Sequence, residues 1–357
     1  MTASETDGMD GTTGGDGGGT RTEPTVRDRL RYLLVLSRPR FWFYLAGPVV
    51  VGTVYGAGSA PELVAPTALV LFGYFLVPAN VLLYGVNDRF DADIDAENPK
   101  KAGGRTETES EAVETGGEAV ETGGEAVETE NEATQQAREA RWRGDRVVAA
   151  AIIATGLLGL VTVAVTPPIA WPYLVGFFLL AVGYSAPPTR FKTTPLLDSA
   201  SNGLYVLPGA AAYVAASGAH PPAAALAGAW IWAMAMHTFS AIPDIEPDRE
   251  AGIRTTATAL GERRAYGYCV GCWTLAAAAF SLVDVRLGAL VGVYPVFVTG
   301  IALTDVAVDR AYWWFPALNT VVGAALTIGG LSRIVAPAEV RALIETWALI
   351  EVIAGVA

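Results

Sequence analysis

Two clusters of carboxylates stand where long apolar stretches of the chain end, one within residues 87–95 and the other within residues 244–250. In each cluster the aspartates are spaced by three or four residues, so on a helix they share one face. These residues are Asp88, Asp91 and Asp95 in the first cluster, and Asp244 and Asp248 in the second. Carboxylates are costly beside hydrocarbon and persist there mainly for function. Because Mg²⁺ is usually held by a few carboxylates together with substrate phosphates, the clusters predict a metal site that grips a diphosphate at a membrane face.

The first cluster has two other interpretations, a calcium-binding loop and a solvated acidic loop. The alternating aspartates from Asp91 resemble the start of an EF-hand. However, its sixth position is Ala96 rather than glycine and its twelfth is Ala102 rather than glutamate, which excludes that loop. A solvated loop explains one cluster alone, but not a second one at the equivalent place after another apolar stretch.

The composition is that of a membrane protein. The chain has 357 residues, of which 52% are hydrophobic and 17% charged, and its mean hydropathy is +0.37. Soluble domains carry about 25% charged residues. Since about 20 residues cross a bilayer, the apolar windows predict an all-α bundle of about nine transmembrane helices around a central cavity. The windows are 42–57, 63–86, 147–166, 169–184, 199–217, 223–242, 265–283, 287–303 and 312–334.

Acidity is confined to two polar segments. The net charge is −12, and residues 1–26 and 105–139 carry −4 and −9 of it. Both segments are rich in Gly, Thr and Glu, so a disordered tail over 1–26 and a disordered insert over 103–139 are predicted. The membrane domain then spans 27–334, and 335–357 forms an interfacial helix or a further span. Acidic segments with very few lysines suggest a salt-loving prokaryote.

Arginine and lysine concentrate in alternate loops, which predicts a multi-pass protein of the cell membrane with a cytoplasmic N-terminus. Both acid clusters then face the cytoplasm, together with Arg190 and Lys192. These two cations are suited to contact the phosphate oxygens of an anion drawn from that side. No nucleic-acid partner is expected.

One histidine and one cysteine pair lie in apolar windows. His237 precedes the second cluster by seven residues. A buried, hydrogen-bonded histidine is the simpler interpretation, although its position keeps it as a pocket candidate. Cys269 and Cys272 have no second cysteine pair and no nearby histidine, so we interpret them as small buried hydrophobes.

Three segments carry a family resemblance. Asn87-Asp88-x-x-Asp91-x-x-x-Asp95 resembles the first aspartate motif of the UbiA family of intramembrane prenyltransferases, and Asp244-x-x-x-Asp248-x-x-x-Gly252 resembles the second. Residues 184–192, which read Tyr-Ser-Ala-Pro-Pro-Thr-Arg-Phe-Lys, resemble the tyrosine-centred cytoplasmic segment of the family. The resemblance covers roughly residues 30–334, and the long insert at 103–139 departs from it.

The resemblance implies Mg²⁺-dependent transfer of an allylic prenyl group from its diphosphate to an acceptor in the bilayer. It assigns one metal–diphosphate group to Asn87, Asp88, Asp91 and Asp95, and the other to Asp244 and Asp248. By the same resemblance, Arg190 and Lys192 contact phosphate oxygens. The resemblance likewise implies that Tyr184 lines the pocket near the developing cation.

The acceptor is suggested by the surroundings of the second motif. Residues 237–253 are similar to those of the carotenoid-elongating members of the family, which implies transfer from dimethylallyl diphosphate to lycopene, with addition of water. A quinone precursor, an archaeal ether lipid and a chlorophyll-type acceptor remain alternatives. A transporter is the alternative from another class, but it would place its acids at mid-membrane on broken helices.

Overall fold

Helices form all of the regular secondary structure in the described part of the chain. The computed structural model describes residues 25–97, 145–304, 306 and 308–335, with no side-chain description for 91–97 and 309. The predicted insert at 103–139, most of the tail and residues 336–357 lie outside these ranges. The all-α prediction is confirmed.

The helices follow one another in this order: α1 Val26–Leu36, α2 Trp42–Gly56, α3 Pro66–Leu76, α4 Pro78–Glu97, α5 Arg146–Val165, α6 Trp171–Ser185, α7 Leu197–Ala200, α8 Leu207–Ser217, α9 Ala223–Ser240, α10 Ile245–Glu250, α11 Thr256–Leu260, α12 Glu262–Ser281, α13 Val285–Val291, α14 Val293–Ala302, α15 Val308–Tyr312 and α16 Phe315–Leu331. Short 3₁₀ turns lie at Pro39–Phe41, Ala60–Val64, Pro168–Ala170, Phe191–Thr193 and Ser201–Tyr205.

Five helical segments of the described chain are long and apolar enough to cross a bilayer, which makes this a multi-pass membrane protein. They are Pro66–Phe90, Arg146–Val165, Pro168–Ser185, Val285–Ala302 and Arg310–Leu331. Every predicted window contains helix, but α2 is only 15 residues long, and the window at 199–217 is divided between α7, a 3₁₀ turn and α8. The number of nine spans and the central cavity therefore stay predictions.

The outer surface is apolar. Along α5, large aliphatic side chains point away from the bundle, among them Ile153, Leu157, Leu160 and Val161. In water such a face would drive association. In hydrocarbon it is an ordinary surface, because the helix satisfies its own backbone hydrogen bonds.

The interior consists of two clusters of buried side chains. The first joins α2, α3, α4, α6 and α8, with Phe75 and Phe177 edge to face at 5.0 Å between ring centroids. The second joins α9, α12, α14 and α16. There the Trp273 ring stacks on Tyr294 at 5.5 Å and on Phe315 at 5.6 Å.

Helices α2 and α8 cross with their backbones in contact. A Cβ on Gly52 would lie 2.0 Å from the carbonyl oxygen of Gly209, and a Cβ on Gly209 would lie 2.6 Å from the carbonyl oxygen of Pro48. Small residues permit such an approach and are common where membrane helices meet. At one end of this helix pair, the rings of Tyr44 and Tyr205 lie edge to face at 6.4 Å.

Candidate active site

The first aspartate cluster occupies the last turns of α4. Helix α4 continues unbroken to Glu97, so Asp88, Asp91 and Asp95 share one face of it, as their spacing predicts. Oδ2 of Asp88 accepts a hydrogen bond of 3.1 Å from the hydroxyl of Tyr32 on α1. The side chains of Asp91 and Asp95 lie outside the described part of the structure.

Asn87 connects this cluster with the segment that follows α6. Its Oδ1 accepts a hydrogen bond of 2.6 Å from Oγ of Ser185 and one of 3.4 Å from Nζ of Lys192. Burial lowers the pKa of Lys192 to about 8. The ammonium group therefore lies next to the first aspartate cluster and is charged below that pH.

Arg190 lies in the same segment, in a left-handed backbone conformation with φ of 37°. Its Nε is buried and donates no hydrogen bond within the described part of the chain. A buried N–H without an acceptor is costly. An anion bound beside this segment would supply the missing acceptor.

The second aspartate cluster follows α9. Asp244 is exposed and precedes α10, and Asp248 is half-buried one turn later. Gly252 has φ of 71° and ends this turn, because the amide of Ile253 donates to the carbonyl of Asp248 over 2.8 Å. This is a Schellman closure, in which glycine adopts the left-handed conformation at least cost. The glycine four residues after Asp248 thus has a structural reason.

Arg38 and a group of tyrosines connect the two clusters. The guanidinium of Arg38 lies 4.4 Å from the ring centroid of Tyr84, one turn before Asp88 on α4. Arg38 also interacts electrostatically with Tyr312, and so does Asp244. Both aspartate clusters are therefore at the same end of the bundle. We call this set the tyrosine cluster: Tyr44, Tyr84, Tyr184, Tyr205 and Tyr312.

Tyr184 is at the inner side of this cluster. Its ring meets that of His237 on α9 edge to face, at 6.1 Å between centroids. Nε2 of His237 lies 3.7 Å from Oδ2 of Asp198, which is fully buried. Asp198 was missed in the sequence, although a lone acid at the edge of the window at 199–217 was a signal that could have marked it.

The donor set suits a hard divalent cation. Asp88, Asp244 and Asp248 offer carboxylate oxygens at one end of the bundle, and oxygen is the ligand that Mg²⁺ prefers. Among the described side chains, no three acidic, histidine or cysteine residues converge on one point. The two further carboxylates on the same face of α4 belong to Asp91 and Asp95, which lie outside that description.

The chain matches the model of the UbiA prenyltransferase family over residues 143–329. It is 58% identical to a lycopene elongase/hydratase of Haloferax volcanii over 322 residues, which are 90% of this chain and 95% of the relative. It is 56% identical to a lycopene elongase/hydratase of Halobacterium salinarum, over 85% of this chain and 98% of the relative.

The fold is also similar to that of a solved structure. A UbiA homolog from Archaeoglobus fulgidus, bound to GPP and Mg²⁺, superposes with a TM-score of 0.62 at 21% identity. The superposition covers 85% of this chain and 99% of that one.

Proposed function

Because the chain belongs to the UbiA prenyltransferase family, we propose that it transfers a dimethylallyl group from dimethylallyl diphosphate to lycopene and adds water to the product. The observation that carries this proposal is the similarity to haloarchaeal lycopene elongase/hydratases over nearly their whole length. The prediction of a prenyl-transferring enzyme is confirmed by the family, and the transporter alternative is set aside.

The acidic end of the bundle is suited to bind the diphosphate. Asp88, Asp91 and Asp95 on α4, with Asp244 and Asp248 after α9, would hold Mg²⁺ through carboxylate oxygens. Held there, Mg²⁺ would offset the negative charge that develops on the diphosphate. The cations of this chain reinforce that effect, because Lys192 lies 3.4 Å from Asn87 and the buried Nε of Arg190 requires an acceptor.

The tyrosine cluster is suited to the prenyl end of the donor. Breaking the C–O bond leaves the electron pair on the diphosphate and a cation on the dimethylallyl group. Aromatic faces stabilise such a cation, and a dry surrounding delays its capture by water. The rings of Tyr84, Tyr184 and Tyr205 are available for this role, since they interact with one another and Tyr84 precedes Asp88 by one turn of α4.

Lycopene supplies the next electron pair. Its terminal double bond attacks the dimethylallyl carbon, a C–C bond forms, and a tertiary cation remains on the lycopene end. Water then adds to that cation and gives a tertiary alcohol after loss of a proton. The reaction takes place at a membrane face that we assign to the cytoplasm, because alternate loops carry the arginines and lysines.

The proposal is tested with membranes that contain the full chain, supplied with lycopene, dimethylallyl diphosphate and Mg²⁺. We expect products heavier by one or two C5 units, each with one water, as read by mass spectrometry. Product from a quinone precursor or an ether lipid, with none from lycopene, would overturn the acceptor and leave the family assignment standing.

A further inference from the structure

His237 on α9 and Asp198 on α7 form a pair that includes no member of the aspartate clusters. Oδ2 of Asp198 lies 3.7 Å from Nε2 of His237 and accepts a hydrogen bond of 2.8 Å from the amide of Thr256. Oδ1 of Asp198 accepts a hydrogen bond from the Thr256 hydroxyl. Both oxygens of this fully buried carboxylate are thus held in place, and one of them faces the imidazole.

The surroundings of Asp198 favour the ionised form of its carboxylate. Burial alone raises the pKa of Asp198, but the interaction with His237 and the two hydrogen bonds from Thr256 together lower it below its usual value. An ionised carboxylate beside an imidazole orients the ring and stabilises its protonated form. This is the arrangement found where a histidine accepts a proton during a reaction.

The position of His237 is also suited to accepting a proton during the reaction. Its side chain is 17% exposed, whereas that of Asp198 is 1% exposed, so the imidazole reaches open space that the carboxylate does not. The imidazole also meets the ring of Tyr184, at 6.1 Å between centroids. His237 also lies in the last turn of α9, seven residues before Asp244.

The ring nitrogens have separate roles in this geometry. Nε2 is turned toward Asp198, which leaves Nδ1 as the second nitrogen of the ring. The other titratable groups around the pair are Tyr184 on α6 and Tyr268 on α12, whose hydroxyl lies 2.9 Å from Oγ of Ser199. Neither is a stronger base than a neutral imidazole near neutral pH.

We propose that His237 accepts the proton of the water molecule that captures the tertiary cation, and that Asp198 positions the imidazole for this step. The inference rests on the proposed function. A lone pair of the water oxygen forms the C–O bond, one O–H bond of that water breaks, and its proton moves to the imidazole. No oxidant or further reactant is needed, and the imidazolium is stabilised by the Asp198 carboxylate.

The proposal predicts a change in the kind of product. Without a base for the water, the tertiary cation instead loses a proton from a neighbouring carbon to an oxygen of the released diphosphate and becomes an alkene. Elongated lycopene then appears without the added water. The ratio of hydrated to anhydrous product thus reports the proton acceptor, whereas a merely structural loss lowers both products together and leaves the ratio unchanged.

The test compares His237→Gln with wild type in membranes supplied with lycopene, dimethylallyl diphosphate and Mg²⁺. The ratio of hydrated to anhydrous product should fall by about 100-fold, the ordinary size of a general-base contribution. His220→Gln is the matched control, because His220 is the other of the two histidines and bonds to Tyr173 at 2.9 Å, away from Tyr184. Its ratio should equal that of wild type.

A second variant protects the test against poor folding. Asp198→Asn keeps the shape of the side chain and removes its charge, so the ratio should fall in the same direction and by less. The ratio does not depend on how much protein folds. Wild-type ratios in both variants would overturn the role of His237 and leave the transferase intact, whereas a wild type that makes neither product from lycopene would overturn the proposed function itself.

Discussion

The hydroxyl of Tyr32 donates a hydrogen bond of 3.1 Å to Oδ2 of Asp88. This contact connects α1, a helix that packs across the start of α5, with the first aspartate cluster at the end of α4. The partner of a metal-binding carboxylate orients its oxygens and tunes its affinity. We therefore predict that helix α1 supports the proposed metal site, so that loss of the Tyr32 hydroxyl weakens Mg²⁺ binding there.

Replacing Tyr32 by phenylalanine tests this support. The variant keeps the buried ring and removes the hydrogen bond to Asp88, so the Mg²⁺ concentration that gives half-maximal transfer should rise about 10-fold. Tyr173→Phe removes a hydroxyl that bonds to His220 instead, and it should leave the Mg²⁺ dependence unchanged. An equal Mg²⁺ requirement in wild type and Tyr32→Phe would contradict the supporting role.

Removal of a carboxylate from either cluster should abolish the reaction. We expect Asp88→Ala and Asp244→Ala each to lower dimethylallyl transfer by more than about 100-fold, because the charge on the departing diphosphate is no longer neutralised. Transfer is measured by product mass in membranes with equal amounts of folded protein. Full activity in either variant would remove that residue from the site.

Asp284→Ala is the matched control for those two variants. Asp284 is an exposed aspartate whose side chain accepts from the amide of Arg286 at the start of α13. Its loss should cost about 1 kcal/mol of stability, as is typical of helix N-caps, and should leave transfer unchanged.

We predict that the pKa of Lys192 makes donor binding depend on pH. Burial lowers this pKa to about 8, so the ammonium is charged below that pH and loses its charge as the pH rises through it. We expect the KM for dimethylallyl diphosphate to rise between about pH 7 and about pH 9. In Lys192→Arg the guanidinium keeps its charge, and the rise should disappear. The same rise in both enzymes would show that another group causes it.

The crossing of α2 and α8 should tolerate no side chain. At Gly52 a methyl group would lie 2.0 Å from a backbone oxygen, so Gly52→Ala should destabilise the protein by about 1–3 kcal/mol and lower Tm. Gly47→Ala is the control on the same helix, because nothing lies within 4 Å of its Cβ position. Equal Tm values for the two variants, measured in the same detergent, would contradict the close approach.

Short-range patterns in the sequence predicted much of the fold. The apolar windows locate the helices, since twenty apolar residues in a row have few other stable forms in a membrane. The spacing of Asp88, Asp91 and Asp95 predicts one helix face, and α4 does carry them on one unbroken helix. The roles of these residues in binding metal and diphosphate stay predictions.

Long-range contacts were beyond the reach of the sequence. Asp198 meets His237 and Thr256 across 39 and 58 residues, and no local spacing marks such a pair. The contact of Arg38 with Tyr84 depends on a left-handed backbone at Arg38, with φ of 50°, which a residue other than glycine seldom adopts. Both features follow from how the helices pack rather than from any one segment.

The glycine crossing of α2 and α8 has a consequence for how the proposed polyene acceptor would enter the bundle. Where backbone contacts backbone, no change of side-chain rotamer can separate the helices, so α2 and α8 move as one rigid body. A rod-shaped acceptor that enters from the lipid must then pass between helices that contact each other through flexible side chains. The entry route for the acceptor and the rigid α2–α8 pair therefore lie in different parts of the bundle.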